Sequence, residues 1–242
     1  LRMKCFYSLV IGILAVTTVK STTTAPAVDV HVAFLGDFTS DFAASVFAQK
    51  MQASPMPRSG RLYADPYCRN HPEFVPQAIY VANVTDALND DGSSAPKPFV
   101  AKYAFIPYDA NPDIDASVKF VEKDSMDDEV TNSLSTLDAC RIGTVYDNNV
   151  ADDIGSYFNG IQMDILVFMT NSQDAQLVRD TFDYIGSNRL ITHVIGVGLS
   201  ESTALNNFSD SSKLYRTVIL SDFTDPQQLV APLQKLLDEY KK

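Results

Sequence analysis

Val28-Asp29-Val30-His31-Val32-Ala33-Phe34-Leu35-Gly36-Asp37-Phe38-Thr39-Ser40-Asp41 is the stretch on which the fold turns. It opens as a β-branched, apolar run and breaks at Gly36. From there oxygen-bearing side chains recur at every second position: Asp37, Thr39 and Asp41. An apolar run that ends in such a loop, with helical spacing beyond it, reads as a buried central strand feeding a site. In open α/β sheets ligands lie outside the carboxyl ends of the strands. Asp37, Thr39 and Asp41 therefore stand where a ligand or cation is held. The same residue types also cap helices, and that use is kept open beside the first.

The chain on either side follows an alternating pattern. Phe42, Val46 and Phe47 suggest a short helix over 41–51. Residues 52–72 lose all periodicity and hold Pro55, Pro57, Gly60, Pro66 and Pro72, so they read as an irregular insertion. Helical spacing returns over 74–88 and ends at the turn-forming 89–94. Phe99–Tyr108 reads as a second strand and 116–121 as a short third one. An acidic entry precedes a helix over 126–137, since carboxylates favour a helix N-terminus. A further helix is expected near 148–158. Met163–Met169 is apolar enough for another buried strand and ends in Thr170-Asn171-Ser172. A helix over 175–185, a strand over 190–197, a strand over 215–220 and an amphipathic helix over 226–240 complete the pattern. Strands alternating with helices, the central ones apolar throughout, predict an α/β fold: a Rossmann-like three-layer sandwich whose mostly parallel central sheet carries helices on both faces.

The 242 residues fit one domain, with 45% hydrophobic and 20% charged residues. A formal net charge of −11 argues against nucleic acid and anionic membrane surfaces as partners and favours attraction of cations. Residues 1–25 carry the marks of a secretory signal peptide: Arg2 and Lys4, an apolar core from Cys5 to Val19, then small and polar residues to Ala25. That core is short of the roughly 20 residues a membrane span requires. The expected mature protein is a single domain over 26–242, secreted and without a membrane span. In an oxidising compartment Cys68 and Cys140 are a candidate disulfide, with two separate buried thiols as the alternative. The sequons at Asn83 and Asn207 are candidate glycosylation sites.

The order of these pieces resembles a von Willebrand factor type A domain. That family carries a strand ending in Asp-x-Ser-x-Ser, a Thr in a middle loop and a strand ending in Thr-Asp-Gly. The corresponding segments here are Asp37-Phe38-Thr39-Ser40-Asp41, Gly143-Thr144 and Phe168-Met169-Thr170-Asn171-Ser172. The strand with Gly196-Val197-Gly198, then Leu220-Ser221-Asp222-Phe223 and the final helix, are similar as well. The resemblance spans residues 28–240, with 52–72 as an extra. It implies a metal-ion-dependent adhesion site in which oxygen ligands from separate loops surround Mg²⁺ or Mn²⁺ and a partner's carboxylate takes the open position. Carried over by position, the ligands are Asp37, Thr39, Asp41, Thr144 and Asn171. Asp41 brings a charge where the family has a neutral Ser, and Asn171 removes one where it has Asp. Phe38 and Ser172 stand where the usual pattern has glycine. The site is thus degenerate, and a metal-independent structural or interaction domain is the alternative. The function implied is binding of an extracellular protein or matrix ligand.

No enzyme is expected. No P-loop, Gly-x-Ser-x-Gly elbow or His-Glu-x-x-His occurs. A hydrolase reading has only Asp37 and Asp41 behind it. Gly196-Val197-Gly198 lacks the third glycine of a nucleotide fingerprint and reads as a close strand–helix turn. His31 and His193 fall in apolar strands, as core or strand-end residues.

Overall fold

The computed structural model describes residues 27–37, 75–90, 98–108, 118–136, 161–170, 172, 174–187, 191–199, 205 and 215–242. Within them run strand β1 (Val28–Asp37), helix α1 (Val75–Ala87), β2 (Phe99–Tyr108), α2 (Met126–Thr136), β3 (Met163–Met169), α3 (Ala175–Ser187), β4 (Ile191–Leu199), β5 (Tyr215–Leu220) and α4 (Gln227–Tyr240). The helices expected over 41–51 and 148–158, the insertion 52–72, the signal segment, Cys68, Cys140 and Asn207 lie outside the described residues.

The strands form one sheet in the order β2-β1-β3-β4-β5. Every strand pair in it is parallel. This is the Rossmann-like α/β architecture expected from the alternation of apolar strands and helices. The order reverses at β1: the chain goes out to β2 on one side, then returns to lay β3 on the other. Parallel strands covered on both faces bury both sets of alternate side chains, which is why β1 is buried continuously from Val32 to Asp37. One face carries Val32, Phe34, Ile165, Val167, Ile195 and Val197 against α1, α2 and α4. The other carries Leu35, Tyr108, Leu166 and Phe168 against Leu177, Val178 and Phe182 of α3.

The helices match their surroundings. α1 is apolar almost all round and correspondingly buried, with Ala78, Ile79, Tyr80, Val81 and Val84 all inside. α4 buries Leu229, Val230, Leu233, Leu236 and Leu237, a stripe at i, i+3 and i+4 spacing. Pro232 sits within that helix and removes one backbone donor. Gln234 ties α4 to the end of α1, accepting the Asn89 N–H at 2.8 Å and donating to the Asn89 carbonyl at 2.9 Å.

Three local readings change. β1 does not break at Gly36 but continues through it to Asp37, pairing with Pro107 and Tyr108 of β2. Gly36 is there for space: a Cβ would lie 2.7 Å from Gln77 Oε1 and 2.9 Å from the Phe105 ring. Gly196-Val197-Gly198 is no turn; it lies inside β4, where a Cβ on Gly196 would meet the Phe182 ring at 2.7 Å. The short strand expected over 116–121 is, in its described part, a single antiparallel bridge between Val121 and Tyr103 on the outer side of β2.

Candidate functional site

The strand order reverses between β1 and β3, and the carboxyl ends of strands at such a reversal are where α/β sheets bind ligands. β1 delivers Asp37 to that rim and β3 delivers Thr170. The last register pair is Leu35 with Phe168; extended two residues, it puts Asp37, the end of β1, at about the level of Thr170, the residue after β3. Neighbouring strands lie roughly 4.8 Å apart. Asp37 is fully buried, Thr170 and Ser172 nearly so. A carboxylate removed from water requires compensating partners, so Asp37 is no ordinary surface acid.

Several contacts hold this rim in place. The Tyr108 hydroxyl, at the end of β2, donates to the Met169 carbonyl at 2.6 Å, tying the ends of β2 and β3 together across β1. Its ring stacks on Phe168 at 5.6 Å, and Phe168 meets Phe182 of α3 edge-on at 5.2 Å. Gln77, fully buried on α1, donates from Nε2 to the Asp37 carbonyl at 3.4 Å. Its Oε1 is buried without a hydrogen-bond partner among the described residues. Thr170 donates its backbone N–H to the Val197 carbonyl at 2.8 Å, extending the ladder to β4.

Beyond Thr170 the chain steps into α3 through successive polar contacts. Thr170 Oγ1 accepts the Ser172 N–H at 3.3 Å, and Ser172 Oγ accepts the Asp174 N–H at 3.2 Å. Asp174 Oδ1 then accepts the N–H groups of Gln176 and Leu177, both at 3.0 Å, which caps the helix. These oxygens therefore serve backbone donors. A crevice of about 10 Å³, room for one water, lies beside Thr170 and is otherwise lined by Met169, Val197, Gly198, Leu199, Leu220 and Phe223.

Of the five residues carried over as metal ligands, Asp37 is described, and it lies fully buried at the end of β1. Thr39, Asp41, Thr144 and Asn171 lie outside the described residues. Among the described residues no group of three or more His, Cys, Asp and Glu side chains could hold a metal ion. The donors that are described, the Asp37 carboxylate and the Thr170 hydroxyl, are hard oxygens, the class that suits Mg²⁺ or Mn²⁺. Asn83 lies within α1, half-buried, and the Thr85 hydroxyl of its sequon is buried against the Val81 carbonyl at 3.0 Å. No described helix is long and apolar enough to cross a membrane.

Sequence reasoning passed over Tyr108 and Gln77. Tyr108 ends a strand in the same way as Asp37, and a terminal Tyr whose hydroxyl can reach a neighbouring carbonyl is a signal open to reading. Gln77 gives none: a glutamine near the start of a helix is ordinary until its burial is known.

A scan against protein-family models finds no match. A search of curated proteins also finds none. Among solved structures the chain is similar to the D319A mutant of the PilB minor pilin from Streptococcus sanguinis. The TM-score is 0.51 at 8% identity, over 89% of this chain and 63% of that one. It is also similar to a von Willebrand factor type A structure from Catenulispora acidiphila, with a TM-score of 0.43 at 12% identity over 90% of this chain and 44% of that one. A third is proximal thread matrix protein 1 from the mussel byssus with a zinc-occupied MIDAS motif, at 0.40 and 11% over 87% of this chain and 48% of that one. The chain thus spans less than two thirds of the length of each. At these identities the likeness is one of fold alone. The chain has a Rossmann-like α/β fold with an all-parallel sheet.

Proposed function

We propose that this chain is a secreted interaction module that binds an extracellular protein or matrix ligand at the carboxyl rim of its sheet, through a divalent cation of the Mg²⁺ or Mn²⁺ class. The observation that carries this reading is the meeting of the strand-order reversal with Asp37 and Thr170, at one level on the two strands that flank it. The net charge of −11 raises the local concentration of cations. In this reading Asp37, Thr39, Asp41, Thr144 and Asn171 supply the hard oxygens, and an acidic side chain of the partner takes the sixth position of an octahedral ion. The apolar leader of residues 1–25 supports an extracellular location.

The test is calorimetric titration of the full chain with Mg²⁺ and Mn²⁺, beside the variant Asp37→Ala. Saturable heat in the wild type and its loss in the variant are expected. Absence of heat with both ions removes the cation from the proposal.

A second reading, a metal-independent binder on the same fold, is favoured by one observation: the oxygens of Thr170, Ser172 and Asp174 already accept backbone N–H groups on the way into α3. Under it, exchanging Asp41→Ser together with Asn171→Asp creates Mg²⁺ affinity that the wild type lacks. If titration finds the pair of substitutions without effect, this second reading is lost.

A further inference from the structure

At the other end of the sheet, where the strands begin, lies a group of titratable side chains with no part in the proposed site. His193 is the third residue of β4 and half-buried. The register places it beside Ile165 of β3, itself level with Val32 of β1, both on the face covered by α4. The ring of Tyr240, in the last turn of α4, meets the His193 ring edge-on at 6.3 Å. The Tyr240 hydroxyl reaches Asp164 Oδ1 at 3.4 Å. Arg216 of β5 donates to the Pro232 carbonyl at 3.2 Å and faces Glu239 Oε1 at 3.7 Å. The C-terminal half of α4 is thus held to β3, β4 and β5 by a histidine, a tyrosine, two acids and an arginine.

The weak point is the imidazole. Its Nδ1 is buried and has no hydrogen-bond partner among the described residues. A neutral ring tolerates that at moderate cost. An imidazolium carries a proton on both nitrogens, and on Nδ1 that proton would be a buried donor attached to a charge, with no hydrogen-bond partner among the described residues. The neighbouring acids are already engaged: Asp164 accepts the His31 backbone N–H at 2.8 Å on its other oxygen, and Glu239 faces Arg216.

We propose that His193 is an acid-sensitive latch for the last helix: the neutral ring completes the seat of Tyr240, and proton uptake loosens the final turn of α4 from the sheet. The groups facing the ring are Glu239 and Tyr240 from α4, Arg216 from β5 and Asp164 from β3. Burial lowers the His193 pKa most; Glu239 and Asp164 raise it, while Arg216 adds to the lowering. The net direction is below the ordinary value of 6.5. A histidine that binds its proton more weakly when docked than when free contributes fully above its free value, and that contribution is lost as the pH falls from there toward the docked value. The latch is therefore closed at neutral pH and opens on acidification. The Gln234–Asn89 clamp, joined by Lys241 on the Asn89 carbonyl and by Asp238 on Gln234, holds no histidine, and the Lys241 hydrogen bond keeps the Asp238 pKa below the ordinary carboxylate value, so this attachment of the helix persists while His193 takes up its proton.

Hydrogen exchange of the full chain, followed by mass spectrometry at about pH 7.5 and about pH 5.5 and corrected for intrinsic rates, tests this. The segment from Leu236 to Lys242 is expected to lose protection several-fold at the lower pH while α1 does not. In His193→Phe the difference between the two pH values is expected to vanish. A ring that only packs would weaken the segment equally at both. Constant protection in the wild type, or the same pH response in the variant, overturns the proposal. Should His193→Phe not fold, the wild-type ring is titrated by proton NMR: a midpoint below the free value is expected, and one at or above it overturns the latch.

Discussion

At the carboxyl ends of β1 and β3 the described polar side chains Asp37, Thr170 and Ser172 are buried and braced by Tyr108 and Gln77. At the amino ends the charges are many and partly wet. Lys102 meets Asp29 at 2.6 Å with both side chains about a third exposed or more, and Arg216, Glu239, Asp164 and His193 surround the end of α4. One rim is fixed by close packing and the other by electrostatics, so they answer to different perturbations. The packing around Gly36 and Tyr108 at the carboxyl rim is expected to respond first to changes of shape. The amino rim responds to pH and ionic strength. A parallel sheet places all strand ends of one kind together, so a single fold can keep a rigid, ligand-facing edge and a responsive one roughly a strand's length apart.

The largest effect expected of the contrast comes from Gly36→Ala. The added methyl would meet the Phe105 ring at 2.9 Å and Gln77 Oε1 at 2.7 Å, on two side chains that are themselves buried. Overpacking of this kind costs about 1–3 kcal/mol. A lowered denaturation midpoint with unchanged slope is the measurement, and an unchanged midpoint would show the carboxyl rim to be softer than its packing. Next is Tyr108→Phe, which removes the 2.6 Å bond and leaves the Met169 carbonyl buried without that donor, at about 1–3 kcal/mol. The same variant should weaken any cation heat seen with the wild type, since it frees the end of β3 from β2. Stability lost with cation binding intact would limit Tyr108 to a structural brace.

How much of this was readable beforehand follows from what each feature depends on. β2 and β5 appear at the bounds expected, because runs such as Phe99–Tyr108 and Tyr215–Leu220 owe their state to local pattern and to burial that apolar residues can only satisfy inside. Gly36 misleads because glycine usually marks a break. Here it admits a neighbour, and that neighbour, Gln77, comes from α1, far along the chain. Gly196 misleads for the same reason through Phe182. Asp37 was legible as a strand-end carboxylate; that Thr170 stands level with it follows from a register that local pattern does not encode. The cluster at the amino rim was invisible. His193 reads as one polar residue in an apolar strand until the end of α4 is seen lying over it.

The smallest effect belongs to the Lys102–Asp29 pair, and it is the sharpest check on the contrast between the rims. Its separation is the shortest of the described ion pairs, 2.6 Å, which invites a large estimate. Exposure argues otherwise: with 32% and 43% of the side chains open to water, the Coulomb gain is screened and offset by the entropy of ordering a lysine. Lys102→Ala should therefore cost below about 1 kcal/mol, and raised salt should shrink even that difference. The bridge also joins β1 to β2 at positions already paired in the sheet, where ladder bonds hold the register without it. A loss comparable to that of Gly36→Ala, persisting in high salt, would mean that the amino rim is held by packing as firmly as the carboxyl rim, and the division between a shaped edge and a charged one would fail.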